Sequence, residues 1–348
     1  MQPHLRSQTP ETLAALWPEV ELSRQIAGRV VQRLVFDDGD DLVGVRGLAK
    51  TKAQALLERG RLDRLTVVDR RQSGVDPFVK YLFRSSDGSI LETVRIPLER
   101  PRFSVCISTQ VGCGLACAFC ETGRMGLTRN LEPWEMVDQV LAVRREAGER
   151  PVTGVVFQGQ GEPLQNYDNV MRAADILRHP SGVRIGGDRI TLSTAGILPA
   201  IERFTEEGHP YRLMLSLTSA FGEKRARLMP VGSRWDVPEL AAAMRRQAAA
   251  RRTVVSLAWV LIAGFNSGPE EARELARLFA GSPLRLSVID VNDPSGRFRR
   301  AGDAERSRFL SALVENGIPF VRRYSGGPDI YAACGMLASR AVGGVAVG

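Results

Sequence analysis

The sequence predicts an α/β protein in which strands and helices alternate, preceded by a smaller module of helices and a β-hairpin. From Phe103 onward, seven short β-rich segments follow one another, and amphipathic helical segments separate most of them. Regular alternation of this kind is typical of parallel βα units. Six or seven such units fit an incomplete barrel as well as a doubly wound sheet, so the pattern alone leaves both architectures open.

The first hundred residues have a different pattern and predict an accessory α+β domain, 1–100. Residues 10–35 and 40–62 show the apolar spacing of helices. Residues 78–99 alternate like two strands, with Ser-Ser-Asp-Gly-Ser at the turn between them. We therefore expect two helical units followed by a hairpin, ahead of the main domain.

The main domain is predicted at 101–340, followed by a flexible glycine- and valine-rich tail at 341–348. Amphipathic helices are expected at 133–148, 168–179 and 268–281. The predicted strands are 103–109, 153–159, 189–195, 212–219, 254–262, 285–291 and 319–324.

The composition is that of an ordinary globular protein, with 44% hydrophobic and 25% charged residues. No stretch of about 18 apolar residues is present, and the first residues lack the pattern of a signal peptide. We therefore expect a cytoplasmic protein without membrane contact. A monomer is a separate expectation, which this pattern does not test.

The net charge is +8, from 47 basic and 39 acidic residues. An excess of this size is consistent with a polyanionic partner such as nucleic acid, which the N-terminal domain could contact. Nearly all the positive charge is arginine, and a GC-rich genome would produce the same bias without any function. Charge alone leaves both explanations open.

The five cysteines are distributed very unevenly, and three of them form the pattern Cys-x3-Cys-x2-Cys at Cys113, Cys117 and Cys120. Thiolates favour iron–sulfur clusters, zinc and copper(I), whereas structural zinc usually takes paired Cys or His ligands, and no histidine is near. A [4Fe–4S] cluster held by three cysteines leaves one iron open. Three core cysteines in a loop are the competing explanation, which the spacing disfavours.

An open iron can bind the amino and carboxylate groups of S-adenosylmethionine. An electron from the cluster can then cleave the sulfonium and release a 5′-deoxyadenosyl radical, so the cofactor carries the difficult chemistry. The segment CGLACAFC, with Phe119 before the last cysteine, resembles the signature of the radical S-adenosylmethionine (radical SAM) superfamily. The resemblance implies a partial (β/α)6 barrel of the TIM type.

A second motif of that superfamily is matched by GQGEP, which contains Gly161 and Glu162. The resemblance implies that Glu162 contacts the amino group of S-adenosylmethionine, which a carboxylate can do by charge-assisted hydrogen bonds. A solvated loop acid is the alternative for this glutamate taken alone.

The two outlying cysteines, Cys106 and Cys334, narrow the resemblance to the adenosine-methylating RlmN/Cfr family. That family acts on large-subunit ribosomal RNA and, in some members, on transfer RNA, at C2 or C8 of adenine. The matching segments occur in the same order over most of the chain: LETVRIP, CISTQVGCGLACAFCETG, GQGEPLQNYDNV, ITLSTAGILPAI, LSLTSAFGEKRARLMPV and DIYAACG.

The resemblance implies a mechanism that uses two molecules of S-adenosylmethionine per turnover. One methylates Cys334, and the other supplies the radical that activates this methyl group for addition to the adenine carbon. Cys106 then attacks the sulfur of Cys334, which forms a disulfide and releases the methylated base. Glu92 matches the family's proton acceptor, and a surface acid on a strand is the alternative for this residue. An external donor such as flavodoxin or ferredoxin would reduce the cluster.

Position by position, the resemblance also implies further contacts to the cofactor. They are Ser193, Ser216, Leu217, Thr218 and Asn292. The chain departs from the family at Thr218, where histidine is usual, and at Gln160, where methionine is usual. Arg297, Arg299 and Arg300 follow Asn292 and could meet phosphates or form a solvated loop.

Two other functions fit parts of the sequence. A radical SAM methylase of a small molecule or peptide could use the same two thiols, and RNA-dependent methyl transfer would distinguish the two enzymes. A nucleic-acid-binding protein with a structural or redox-sensing cluster would not cleave S-adenosylmethionine, and it gives no reason for Cys106 and Cys334.

Overall fold

The computed structural model describes residues 2–99, 101–148 and 151–338, so the predicted tail at 341–348 lies outside the described residues. The strands of this part are β1 (Thr66–Gln72), β2 (Val79–Arg84), β3 (Ile90–Pro97), β4 (Phe103–Ile107), β5 (Gln110–Cys113), β6 (Gly126–Asn130), β7 (Val152–Phe157), β8 (Ile190–Thr194), β9 (Arg212–Ser216), β10 (Val255–Leu261), β11 (Leu284–Asp290) and β12 (Phe320–Arg322).

Eleven α-helices occur in the described residues. They are α1 (Pro10–Leu16), α2 (Arg24–Val35), α3 (Lys50–Arg59), α4 (Glu121–Arg124), α5 (Pro133–Ala147), α6 (Tyr167–Arg178), α7 (Leu198–Glu206), α8 (Gly222–Leu228), α9 (Val237–Ala250), α10 (Pro269–Leu278) and α11 (Asp303–Glu315). None of them is long and apolar enough to cross a bilayer.

The main sheet has ten strands in the order β1-β2-β3-β4-β7-β8-β9-β10-β11-β12. In this order, each neighbouring pair from β4 through β7 to β12 is parallel. Helices α5 to α11 lie between successive strands of this parallel part. Each of the seven predicted strands is present, so the predicted alternation is confirmed.

The helices start where the sequence supplies capping residues and proline. Glu132 and Glu135 form a reciprocal capping box at the start of α5, whose first residue is proline. Asp236 and Glu239 do the same for α9. Such caps satisfy the free N–H groups of the first turn. The buried faces of these helices then pack on the apolar residues of the parallel strands, which form one continuous core.

The N-terminal hairpin is continuous with the parallel sheet. Strands β2 and β3 form the predicted hairpin, and β3 pairs antiparallel with β4, which places Val94 opposite Cys106. Strand β1 adds a third antiparallel strand that was not predicted. The domain boundary at residue 100 stays a prediction, but the hairpin shares hydrogen bonds with the core and forms part of the wall of the site described below.

Arg6 connects several turns of the N-terminal helices from a fully buried position. Its guanidinium donates to the carbonyl oxygens of Leu34 (3.1 Å), Asp63 (3.1 Å) and Gly39 (2.7 Å). It also pairs with the carboxylate of Asp40 at 3.1 Å. One side chain thus satisfies three backbone acceptors, two of them in loops.

We predict that Arg6→Met lowers the free energy of unfolding by about 3 kcal/mol or more, because it leaves buried carbonyls without donors. The matched control is Arg24→Met, since the Arg24 side chain is 72% exposed and pairs with a partly exposed glutamate. Its cost should be about 0.5 kcal/mol. Urea unfolding measures both, and equal losses would contradict the role of Arg6.

Candidate active site

The three closely spaced cysteines lie on a loop at the carboxyl end of β4. Strands β5 and β6 form a small two-stranded sheet here, with Cys113 as the last residue of β5. Gly112 has φ +75°, and a Cβ there would come within 1.9 Å of the Gly126 carbonyl oxygen. Only glycine fits so close a turn. The backbone N–H of Ala118 donates to the Leu228 carbonyl at 2.8 Å, which fixes the loop on α8.

The three thiols of this loop are partly buried, which raises their pKa values. Burial raises the pKa of Cys113 to about 11. Burial also raises the pKa of Cys117 and of Cys120; the thiols of Cys120 and Cys113 add to the shift at Cys117, and Cys334 adds to the shift at Cys120. These thiols therefore stay protonated at neutral pH unless a metal group takes the place of their protons.

No three Cys, His, Asp or Glu side chains of the described residues are close enough together to hold a single metal ion. A [4Fe–4S] cluster makes a different demand, because each cysteine binds a separate iron. Three thiols that interact electrostatically around one cavity fit that demand.

All five cysteines of the chain line one cavity of about 200 Å³. The cavity lies at the carboxyl edge of the parallel strands, where barrel enzymes carry their active sites. Among the predicted site residues, its lining includes Cys106, Cys113, Cys117, Cys120, Cys334, Gly161, Glu162, Ser193, Ser216 and Asn292. The predicted residues Glu92, Leu217 and Thr218 are buried and lie outside this lining.

Glu162 is a buried acid and not a solvated one, with 3% of its surface exposed. Its carboxylate accepts hydrogen bonds from the N–H groups of Leu164 (3.0 Å) and Ala195 (2.8 Å). Burial nevertheless raises the pKa of Glu162. Gly161 has φ +102°, and a Cβ at this position would be 2.7 Å from the backbone nitrogen of Gln110. The close approach to β5 explains why glycine precedes this glutamate.

The other polar residues of the lining come from successive strands. Ser193 is the last residue but one of β8, and Ser216 is the last residue of β9. Their hydroxyl oxygens are 3.4 Å apart. Asn292 follows β11 and accepts a hydrogen bond from Arg300, which also donates to the Val291 carbonyl at 3.1 Å. Arg300 therefore holds Asn292 in place.

Leu217 and Thr218 come directly after β9 but belong to the packed layer behind the cavity. The Leu217 N–H donates to the Ala258 carbonyl at 3.0 Å. Thr218 has φ +64°, and its carbonyl accepts from the side chain of Asn266 at 2.6 Å. Their predicted contact with a cofactor stays a prediction.

The C-terminal segment brings Cys334 to the cysteine loop. The N–H of Glu121 donates to the Gly335 carbonyl at 2.8 Å, and the Thr122 hydroxyl donates to the Leu337 carbonyl at 2.6 Å. The Cys334 N–H donates to the Ser325 hydroxyl at 2.7 Å. Cys334 itself is exposed, so it is fixed by its backbone while its thiol stays accessible.

Cys106 lies deeper in the same place. It is buried on β4 and packs in a small apolar cluster with Ile330, Ala332 and Leu337 of the C-terminal segment. Burial raises the pKa of Cys106 to about 12; a smaller contribution comes from Cys334, and Arg323 opposes it. Cys334 acts on Cys120 in the same way. The exposed thiol thus lies within electrostatic reach of both Cys106 and the cysteine loop.

Glu92 lies on β3, outside the lining of the cavity. Its carboxylate is fully buried and pairs with the ammonium of Lys80 at 2.5 Å. Lys80 also donates to the Tyr331 carbonyl at 3.1 Å, which links this ion pair to the C-terminal segment. The residue shares a face of β3 with Val94 and Ile96, which do line the cavity.

Sequence reasoning missed Arg323, which is the one lysine or arginine in the cavity lining. It comes directly after β12, at the carboxyl edge of a parallel sheet, and this position was the available signal. All three predicted phosphate contacts, Arg297, Arg299 and Arg300, are exposed, and the guanidinium of Arg297 lies over the ring of Phe298.

The model of the Radical SAM superfamily matches residues 107–279. A protein of Myxococcus xanthus named probable RNA methyltransferase is 47% identical over 91% of this chain and 89% of its own length. The dual-specificity RNA methyltransferase RlmN of Syntrophotalea carbinolica is 38% identical over 96% of this chain and 89% of its own length.

A radical SAM methyltransferase from Sphaerobacter thermophilus has a crystal structure that superimposes with a TM-score of 0.89. Its sequence is 38% identical, and the match covers 97% of this chain and all of that one. This agreement confirms the predicted partial barrel. Its parallel strands are β4 and β7 to β12, and the sheet that they form is not closed. The chain therefore belongs to the radical SAM superfamily and, within it, to the family of RlmN-type RNA methyltransferases.

Proposed function

We propose that this protein methylates C2 or C8 of an adenine in ribosomal RNA, with transfer RNA as a second candidate substrate, through a methyl group carried on Cys334. The observation that carries the proposal is the convergence of all five thiols on one cavity. Relatives named as RNA methyltransferases, one of them as dual-specificity, support the substrate class. The net charge of +8 favours the same polyanionic substrate.

Cys113, Cys117 and Cys120 would hold a [4Fe–4S] cluster, and Glu162 would accept hydrogen bonds from the amino group of S-adenosylmethionine. Ser193, Ser216 and Asn292 offer further polar groups in the lining. When bound, the cluster and two molecules of S-adenosylmethionine per turnover would supply the methyl group and the radical that activates it, with electrons from a donor such as flavodoxin or ferredoxin.

The positions of the two outlying thiols suit two different roles. Cys334 is exposed and its backbone is anchored. It can therefore contact a methyl donor in the cavity and also an unstacked RNA base that approaches from the solvent side. Cys106 is buried beside the C-terminal segment, so it suits attack on Cys334 and not on the RNA. This attack forms the sulfur–sulfur bond and breaks the sulfur–carbon bond, and the carbon keeps the electron pair and takes a proton.

Glu92 is the proposed proton acceptor. Its ion pair with the ammonium of Lys80 fixes the position of the carboxylate on β3. The link from Lys80 to the Tyr331 carbonyl connects it to the segment that carries Cys334. We further propose that the protein works as a monomer.

We predict that Cys106→Ala accumulates a covalent adduct with RNA through Cys334, because nothing then breaks the sulfur–carbon bond. Cys334→Ala is the matched control and should form no adduct. Denaturing gel electrophoresis with and without ribonuclease reads this directly. A Cys106→Ala protein that cleaves S-adenosylmethionine in the presence of RNA yet shows no attached nucleotide contradicts the two-thiol mechanism.

We predict that anaerobically reconstituted protein binds about four iron and four sulfide per chain, as one [4Fe–4S] cluster requires. Cys117→Ala should lose most of both, because the cluster loses one of three ligands. Cys106→Ala removes a thiol of the same cavity and should keep the full content. If iron and sulfide stay complete in Cys117→Ala, the three-cysteine assignment is wrong.

A further inference from the structure

Arg225, on helix α8, is a buried cation without a carboxylate partner. Its side chain has no exposed surface. One nitrogen, Nη2, donates to the Ala195 carbonyl, whereas Nε and Nη1 have no hydrogen-bond partner. Within the described ranges no Asp or Glu forms an ion pair with it. An unpaired buried charge is strongly destabilising unless something in the functional protein neutralises it.

The space around this guanidinium is shaped by two glycines. A Cβ at Gly196 would lie 3.2 Å from Nη2, and a Cβ at Gly232 would lie 2.9 Å from Nη1. Gly196 also has φ +97°, which other residues rarely adopt. The fold therefore holds the charge of Arg225 in one place.

The cysteine loop lies next to Arg225, because Cys117 packs against the apolar cluster that contains Leu228 of the same helix and Ala195, whose carbonyl accepts from Arg225. The thiols of this loop become anionic only when a metal group replaces their protons. Burial lowers the pKa of Arg225 only to about 10, so the side chain is a cation at neutral pH. The hydrogen bond from Ala118 to Leu228 ties the same loop to the end of the helix that carries Arg225.

The same arginine is connected to Glu162 through a single residue. The Ala195 carbonyl accepts from Arg225, and the Ala195 N–H donates to the Glu162 carboxylate at 2.8 Å. Arg225 is absent from the cavity lining, so it acts on the site through its field and through Ala195.

We propose that Arg225 is the buried counter-charge of the iron–sulfur cluster and raises its reduction potential. The inference rests on the proposed cluster at Cys113, Cys117 and Cys120. Three thiolates give such a cluster a net negative charge, which grows by one on reduction, and net charge is among the factors that set its potential. A fixed cation beside Cys117 favours the reduced state and offsets the isolated charge of Arg225 itself. Arg225 is thus a positioning residue and not a catalytic one.

The test is a redox titration of the reconstituted protein with dithionite, followed by electron paramagnetic resonance of the reduced cluster. Arg225→Met should shift the midpoint to a more negative potential, with a tenfold loss in the reduction equilibrium corresponding to 59 mV for one electron. Arg225→Lys keeps the charge and should restore most of the shift. The matched control is Arg227→Met, since Arg227 is exposed on the same helix and should leave the potential unchanged.

Thermal unfolding of the cluster-free and the cluster-loaded forms separates charge from packing. A counter-charge predicts that Arg225→Met destabilises the loaded form more than the cluster-free form. Equal destabilisation of both forms, with a wild-type potential, overturns the inference. Arg225→Gln is the second variant if Arg225→Met fails to fold.

The inference and the proposed function fail in different ways. If the wild-type protein takes up four irons and Arg225→Met keeps the wild-type potential, the proposed function stands and the counter-charge inference is wrong. Wild-type protein that takes up no cluster removes both.

Discussion

Docking of the C-terminal segment on the cysteine loop is the constraint on which the site depends. Backbone hydrogen bonds of Glu121 and Cys334, together with the apolar contacts of Cys106, hold the segment at the open edge of the sheet. Without this docking, the cavity would keep its cluster ligands but lose the thiol that faces solvent. The architecture of a barrel with an open side is what leaves room for a segment to dock there.

Buried charges are the second organising feature of the molecule. Glu162 is held by two N–H groups, Glu92 by the ammonium of Lys80, and Arg225 by one carbonyl. The first two have their counter-partners within the chain. Arg225 has no such partner, which is why we propose that the bound iron–sulfur cluster supplies the negative charge.

Much of this arrangement was predictable from the sequence. Strands with apolar runs, such as β10, and the helices between them have clear periodicity, and the spacing of Cys113, Cys117 and Cys120 indicates a soft metal centre. The short strands β5 and β6 were missed, because four or five residues with glycine and cysteine carry no strand pattern. The ion pair between Lys80 and Glu92 depends on hairpin register, and register is not visible in composition.

Arg225 shows the same limit from another side. In the sequence it is one of two arginines in the segment LSLTSAFGEKRARLMPV, and only the fold reveals that it is buried while Arg227 is exposed. Leu217 and Thr218 were expected in the cavity beside Ser216, but the chain turns behind the strand end and buries them. A resemblance to a family predicts the role of a residue at a matching position, whereas its contacts depend on how the chain packs around it.

The central claim is that Cys334 carries the methyl group. Trypsin should release it in the peptide 324–340, which contains no other cysteine. Reconstituted, reduced protein is incubated with S-adenosylmethionine that bears a deuterated methyl group, and the peptide is analysed by mass spectrometry before and after RNA is added. The account predicts a labelled methyl group on Cys334 that leaves the peptide and appears on adenine. Labelled adenine formed by protein whose Cys334 never acquires the methyl group would contradict it.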